Sequence, residues 1–204
     1  MKYIKEACIE NFREAMAAQA AGANRIELCE NLSGGGTTPS YGTIKKCMEN
    51  LNIPVFVMIR PRTGDFVYSE EEISIMKEDI RICKQLGVPG VVFGLLTKEG
   101  KIDEANTLKL VELARPMRIT FHKAFDELDD LNEALETLIR IGVDRILTSG
   151  TRETALEGAV VLNPLIESAK NRIIIVAAGR ITKDNLPDLS KMISTSEFHG
   201  RKIV

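Results

Sequence analysis

An α/β architecture, a (β/α)8 TIM barrel lacking the final helix, is predicted by three observations. Short β-branched runs alternate with amphipathic stretches from end to end. Several runs are apolar almost throughout, as in Ile173-Ile174-Ile175-Val176-Ala177, the pattern of strands buried on both faces of a parallel sheet. Eight such runs in 204 residues give about 25 residues per βα unit, near the scale of a barrel of about 250 residues. With no break in composition, residues 1–204 read as one domain. An open doubly wound sheet is the alternative, but no GxGxxG follows the first run to support it.

The strands are expected at 3–9, 25–29, 55–60, 90–96, 118–125, 145–149, 172–177 and 197–203. A helix over 71–86 carries Ile73, Met76, Ile80 and Leu86 on one face, and 131–139 repeats apolar residues at the same spacing. Three helix-to-strand joints resemble one another: Ala21-Gly22-Ala23, Leu86-Gly87-Val88 and Ile141-Gly142-Val143. Each places Gly where a helix ends in a left-handed cap. The sequence stops at Val204, just after the eighth run. That leaves one flank without a helix and predicts a homo-oligomer, a dimer favoured, with a partner subunit covering it.

Composition narrows the function. Lys+Arg of 27 against Asp+Glu of 29 gives a net charge of −2, so no global field draws nucleic acid or an anionic membrane. Aromatic residues are 5% and Trp is absent, which argues against base-stacking platforms. No apolar run reaches the roughly 20 residues of a membrane span, and Met1 to Glu6 lacks the apolar segment of a secretory leader. The four cysteines, Cys8, Cys29, Cys47 and Cys83, include no CxxC pair. They are expected to be reduced thiols of a cytoplasmic protein.

In a barrel, functional groups gather at the carboxyl ends of the strands. The first two strands carry Glu6-Ala7-Cys8 and Glu27-Leu28-Cys29. Alternation puts each acid with its cysteine on one face. A carboxylate is costly against the helices, so that face is expected to point inward. Two inward thiols could share a soft ion, or be small buried hydrophobes. Cys47 and Cys83 fall on expected helices and read as packing residues.

The loop Ser33-Gly34-Gly35-Gly36-Thr37 reads as a lid or a plain connector, without the ending of a P-loop. Arg60 and Arg62, at the third strand end, suit an anionic ligand, or would pair with Glu6 and Glu27 in an internal ionic layer. His122 and Asp126 share strand parity and suggest a general acid–base pair. The turns at Ser149-Gly150 and Gly179-Arg180 would hold a phosphate on backbone amides, or serve only as helix caps. Glu197 and His199, if inward, add a carboxylate and an imidazole to the same mouth.

Taken together, Glu-x-Cys on the first strand, Arg25-Ile26-Glu27-Leu28-Cys29, Gly35-Gly36-Thr37-Thr38-Pro39-Ser40, Ile59-Arg60-Pro61-Arg62, Gly64-Asp65-Phe66, Thr120-Phe121-His122-Lys123-Ala124-Phe125-Asp126 and Leu147-Thr148-Ser149-Gly150 resemble the CutC copper homeostasis family. The likeness runs from about Tyr3 to His199, with departures at Thr63 and Lys123. It implies a TIM barrel, a cytoplasmic homo-oligomer and copper handling, with Cu(I) on Cys8 and Cys29. No organic cofactor is implied. Beside it stands the reading of an enzyme working by acid–base catalysis on a small anionic or sugar-like substrate. Glu27, His122 and Asp126 would then be catalytic, and Arg60, Ser149, Gly179 and Glu197 would bind substrate. A pure interaction scaffold has no feature in its favour.

Overall fold

The computed structural model describes residues 3–204; Met1 and Lys2, and with them part of the expected reading of the amino terminus, lie outside the described residues. Eight strands form a closed, all-parallel barrel in chain order: β1 Ile4–Ile9, β2 Arg25–Leu28, β3 Val55–Met58, β4 Gly90–Phe93, β5 Arg118–Phe121, β6 Arg145–Thr148, β7 Ile174–Ala177 and β8 Glu197–Gly200. β8 closes on β1, with Glu6 opposite His199. Seven α-helices alternate with them among the described residues: α1 Phe12–Ala20, α2 Tyr41–Asn50, α3 Glu70–Gln85, α4 Glu104–Ala114, α5 Leu131–Arg140, α6 Ala155–Ala169 and α7 Leu186–Met192. No helix follows β8 up to Val204, and Lys202 there makes a bridge to Thr182.

Local sequence explains the starts and stops. Reciprocal capping boxes open α3 (Ser69 with Glu72) and α6 (Thr154 with Glu157). The three repeated joints place Gly22, Gly87 and Gly142 at φ of +89°, +72° and +83°, a left-handed turn that L side chains resist. Strand β5 ends four residues earlier than the sequence suggests. The His122 side chain accepts the Ala124 N–H and starts a 3-10 turn over Lys123–Glu127. β4 and β8 also stop short of their expected ends, at Phe93 and Gly200. β7 begins at Ile174 because Lys170 and Asn171 are left-handed and the Arg172 N–H bonds back to Ala169.

Burial divides in two. The outward faces of the strands pack Ile26, Leu28, Val57, Ile119, Ile146 and Ile175 against the helices. Cys47 and Cys83 sit in this layer, on α2 and α3. The barrel interior is different. It holds two small apolar clusters, one of Cys8, Cys29, Phe56, Met58 and Val92 and one of Leu147, Val176 and Ala178. Beside them lies an ionic layer. Glu6 accepts hydrogen bonds from Arg25 Nε and from Arg145 Nη2, and Arg25 Nη2 donates to Glu197. Phe56 lies between the two guanidiniums, 5.0 Å from Arg25 and 4.2 Å from Arg145. Its ring fills the space that a side chain at Gly90 would need. The ionic layer expected from Arg60 and Arg62 with Glu6 and Glu27 therefore exists with Glu197 in place of Glu27 and with different cations, Arg25 and Arg145. Those two point inward from their strands, whereas Arg62 reaches outward to Glu72 on α3.

Candidate metal and ligand site

The mouth is built where β1, β2 and β8 meet. In the β1–β2 register Cys8 faces Glu27. Cys29 follows β2 directly and donates its N–H to the Ile9 carbonyl at 2.9 Å, so the strand alignment continues past it. Its thiol approaches Glu27 Oε2 at 3.5 Å. His199 brings its ring between two acids, with Nδ1 2.9 Å from Glu6 Oε1 and Nε2 3.7 Å from Glu27 Oε2. One donor atom each from Cys8, Glu27 and His199 lie within 4.8 Å of one another. A cavity of about 130 Å³ opens above them, also lined by Cys29, His122 and Lys123.

These groups set one another's protonation. Hydrogen bonding with the Cys29 thiol holds Cys8 well below the usual thiol range, with burial opposing and His199 assisting. The same contact, together with burial and the nearby Glu27, pushes Cys29 up. Burial raises Glu27 well above an ordinary carboxylate. Burial alone would raise Glu6 too, but Arg145, the His199 hydrogen bond and Arg25 outweigh it and hold Glu6 far down. His199 is raised because Glu27, Cys8 and Glu6 overcome its own desolvation. These shifts favour the thiolate at Cys8, the imidazolium at His199 and the protonated carboxyl at Glu27.

The glycine loop is tied down over this site. Glu30 and Thr37 exchange backbone hydrogen bonds at its base, and Arg60 donates to the Gly36 and Gly64 carbonyls at 3.0 and 2.6 Å. Gly36, at φ of +86°, passes so close that a Cβ there would lie 3.4 Å from Cys29 Sγ. Arg60 thus joins two loops, and its guanidinium stacks on Phe66 at 4.7 Å.

His122 lines the mouth cavity, fully buried. Its Nδ1 accepts the Ala124 N–H at 3.1 Å, so the ring proton sits on Nε2, which has no partner. Burial, then repulsion from Arg60, pushes the imidazole down to about 3. Asp126 does not join it. The 3-10 turn breaks the strand parity that sequence spacing assumed, and rotates the carboxylate onto the β6–α6 turn. There it accepts from Thr148 Oγ1, from Ser149 N and Oγ at 3.1 and 3.0 Å, and from Thr151 N at 3.1 Å. The amides expected to hold a phosphate already hold this carboxylate. Ser149 Oγ also accepts from Lys123 Nζ at 2.8 Å.

Two further expected residues lie elsewhere. Gly179 packs against the start of α6, its carbonyl accepting the Ala155 N–H at 2.8 Å, and a Cβ would collide with Ala155 and Ser149. Glu197 is inward but at the other end of the barrel from the mouth, because it opens β8 instead of closing it. Its neighbour by alternation, His199, is the one that reaches the thiols. Sequence parity placed His199 in the mouth without giving it a ligand's role.

The donor set fits a thiophilic ion. It offers two sulfurs, an imidazole and a carboxylate whose Oε1 is buried with no partner. Thiolate and imidazole suit Cu(I) or zinc far better than magnesium or calcium.

Comparison with known proteins identifies the family. The model of the CutC family matches residues 3–204. The human copper homeostasis protein cutC homolog is 47% identical over 197 residues, covering 97% of this chain and 72% of the human protein. A CutC family protein of Histophilus somni is 45% identical over 95% of this chain and 80% of its own length. The crystal structure of CutC from Streptococcus agalactiae superposes with a TM-score of 0.95 at 36% identity, covering 99% of this chain and 100% of that one. The aldolase QR15, at 15% identity and a TM-score of 0.72, shares the fold alone. Motifs, barrel and matched length converge: the chain belongs to the CutC family.

Proposed function

We propose that this protein serves copper homeostasis by taking Cu(I) as cargo at the barrel mouth, in the cytoplasm, through Cys8 and Cys29 with His199 and Glu27 beside them. The observation that carries this reading is the convergence of Cys8, Glu27 and His199 within 4.8 Å, with Cys29 packed against Cys8. The acid–base state supports it. A cysteine whose neighbours favour the thiolate gives up its proton more readily to an arriving metal. The buried ion pairs beneath fix the ligands' directions, as partners of metal ligands commonly do. Four unpaired, buried cysteines suit a reducing compartment.

The test is competition for Cu(I) between the reduced protein and a chromophoric chelator. The expected result is a single tight equivalent, lost in the Cys8→Ser, Cys29→Ser double variant and weakened in His199→Gln. An unchanged stoichiometry in the double variant overturns the reading.

A second reading, catalysis on a small carbonyl or anionic substrate, is favoured by one observation. His122 Nε2 and Glu27 Oε1 are both buried without partners and both line the mouth cavity. A neutral His122 is there a hydrogen-bond donor to a substrate oxygen, and Glu27 a proton carrier. Arg60 is a loop staple in this arrangement instead of an anion anchor. Turnover found in a metabolite screen and abolished by His122→Ala supports this reading. Its absence across the screen counts against it.

A further inference from the structure

The end of the barrel opposite the mouth holds a second cavity, of about 610 Å³, within the range of small-molecule sites. Its wall carries five arginines, Arg25, Arg115, Arg118, Arg145 and Arg172, against two carboxylates, Asp144 and Glu197. Pro54, Pro89 and Ile173 add apolar surface.

The amino-terminal end of such a barrel ordinarily serves stability. A self-contained ionic plug would leave every buried donor satisfied. Arg145 departs from that. Only 3% exposed, it makes a single hydrogen bond, Nη2 to Glu6 at 2.8 Å. Its Nε has no partner, since Glu197 Oε2 stays 3.6 Å away. A guanidinium presents five N–H donors in a planar fork. Leaving the Nε donor buried and unpaired is costly unless a polar group completes the fork from the cavity side. At the rim, Arg115 also donates to the Gly142 carbonyl, and the cations outnumber the carboxylate. Arg115 and Arg118 both turn to one carboxylate, Asp144, at 2.8 and 2.9 Å. Arg172 is held back against Glu136 on α5.

We propose that this cavity is a binding site for a small polyanion bearing phosphate or carboxylate groups, with the Arg145 fork at its floor and Arg118 and Arg115 at its rim. The planar fork matches the paired oxygens of either group, and the apolar wall gives the rest of the molecule a dry surface. This site is separate from the thiols at the mouth and does not depend on their role.

The test titrates the full chain at low salt with inorganic phosphate, pyrophosphate and citrate, following heat of binding. The first two arms report phosphate groups and the third carboxylates. Saturable binding of at least one probe is expected. Arg118→Glu is the principal variant, because that side chain is 70% exposed, with circular dichroism to confirm that it folds. It should weaken binding about tenfold or more. Arg145→Lys keeps the charge, removes the fork and should weaken it as well, read alongside circular dichroism to confirm folding. Cys8→Ser should leave binding unchanged. Binding of none of the three probes, or binding that Arg118→Glu leaves untouched, overturns the assignment.

Discussion

Glu6 and Arg145 meet across the barrel axis: Nη2 donates to Oε2 at 2.8 Å, although β1 and β6 are not neighbours in the sheet. The fully buried carboxylate also takes Arg25 and His199. Glu6→Gln would strip two arginines of their shared counter-charge inside the barrel. A loss of about 3–5 kcal/mol is expected from removing one member of a buried pair. Urea unfolding measures it, and a loss below about 1 kcal/mol would show the layer to be ornamental to stability.

The thiols should separate by reactivity. Hydrogen bonding with Cys29 pulls the Cys8 thiol well below the usual range, whereas burial pushes Cys47 up to about 11 and Cys83 up to about 12. The thiolate is the nucleophile. Iodoacetamide on the native protein near neutral pH should therefore mark Cys8 first, with Cys47 and Cys83 protected until unfolding. Peptide mass spectrometry reads the order. Early labelling of either helix cysteine contradicts it.

His122 gives a pH dependence of defined sign. Its folded value of about 3 lies below the ordinary 6.5, so between these limits the unfolded chain binds a proton that the folded chain refuses. Its contribution to stability is complete above about pH 6.5 and is lost as pH falls towards 3. The slope approaches about 1.4 kcal/mol per pH unit while that proton is at issue. His122→Asn keeps an acceptor for the Ala124 N–H and removes the titration. Its acid limb should be correspondingly shallower, and equal slopes for the two proteins would refute the assignment.

Gly158 lies in α6 against the β6 turn, where a Cβ would fall on the Ser149 carbonyl oxygen. Replacing a helical Gly by Ala ordinarily gains up to about 1 kcal/mol. Here backbone meets backbone, so overpacking wins, and Gly158→Ala should cost about 1–3 kcal/mol. Thermal unfolding decides, and a raised midpoint would mean the helix can move aside.

Asp126 acts as a built-in anion for the β6–α6 turn. Asp126→Gly would leave the Ser149 and Thr151 amides without their acceptor, at a cost of about 3 kcal/mol. The vacated space should accept formate, which restores stability where chloride at equal ionic strength does not. Equal responses to the two salts would rule out the role.

The barrel was legible because burial on both strand faces and glycine at the helix ends leave strong local marks. The inward aim of Glu6, Cys8, Glu27 and Cys29 was legible too, since alternation and the cost of a carboxylate among apolar helices settle it. Partner choice was not. Arg145 lies 139 residues from Glu6, and Glu197 lies 172 from Arg25, and nothing local announces such pairings. Asp126 escaped for a different reason. Counting by twos fails once a side chain caps its own backbone and turns the strand into a 3-10 helix. Glu197 was placed at the wrong end because its height depends on where β8 begins, and sequence boundaries are soft by a few residues.

Closure of β8 onto β1 has a consequence for biogenesis. On the ribosome the first strand emerges long before its last neighbour, so one bare edge waits through most of translation, and such edges invite wrong pairing. Glu6 waits with it, holding only Arg25 of its partners, because Arg145 and His199 are made late. A carboxylate that stays partly hydrated until its last two partners arrive resists premature burial, and so keeps the nascent hoop open until the stave that completes it is in hand.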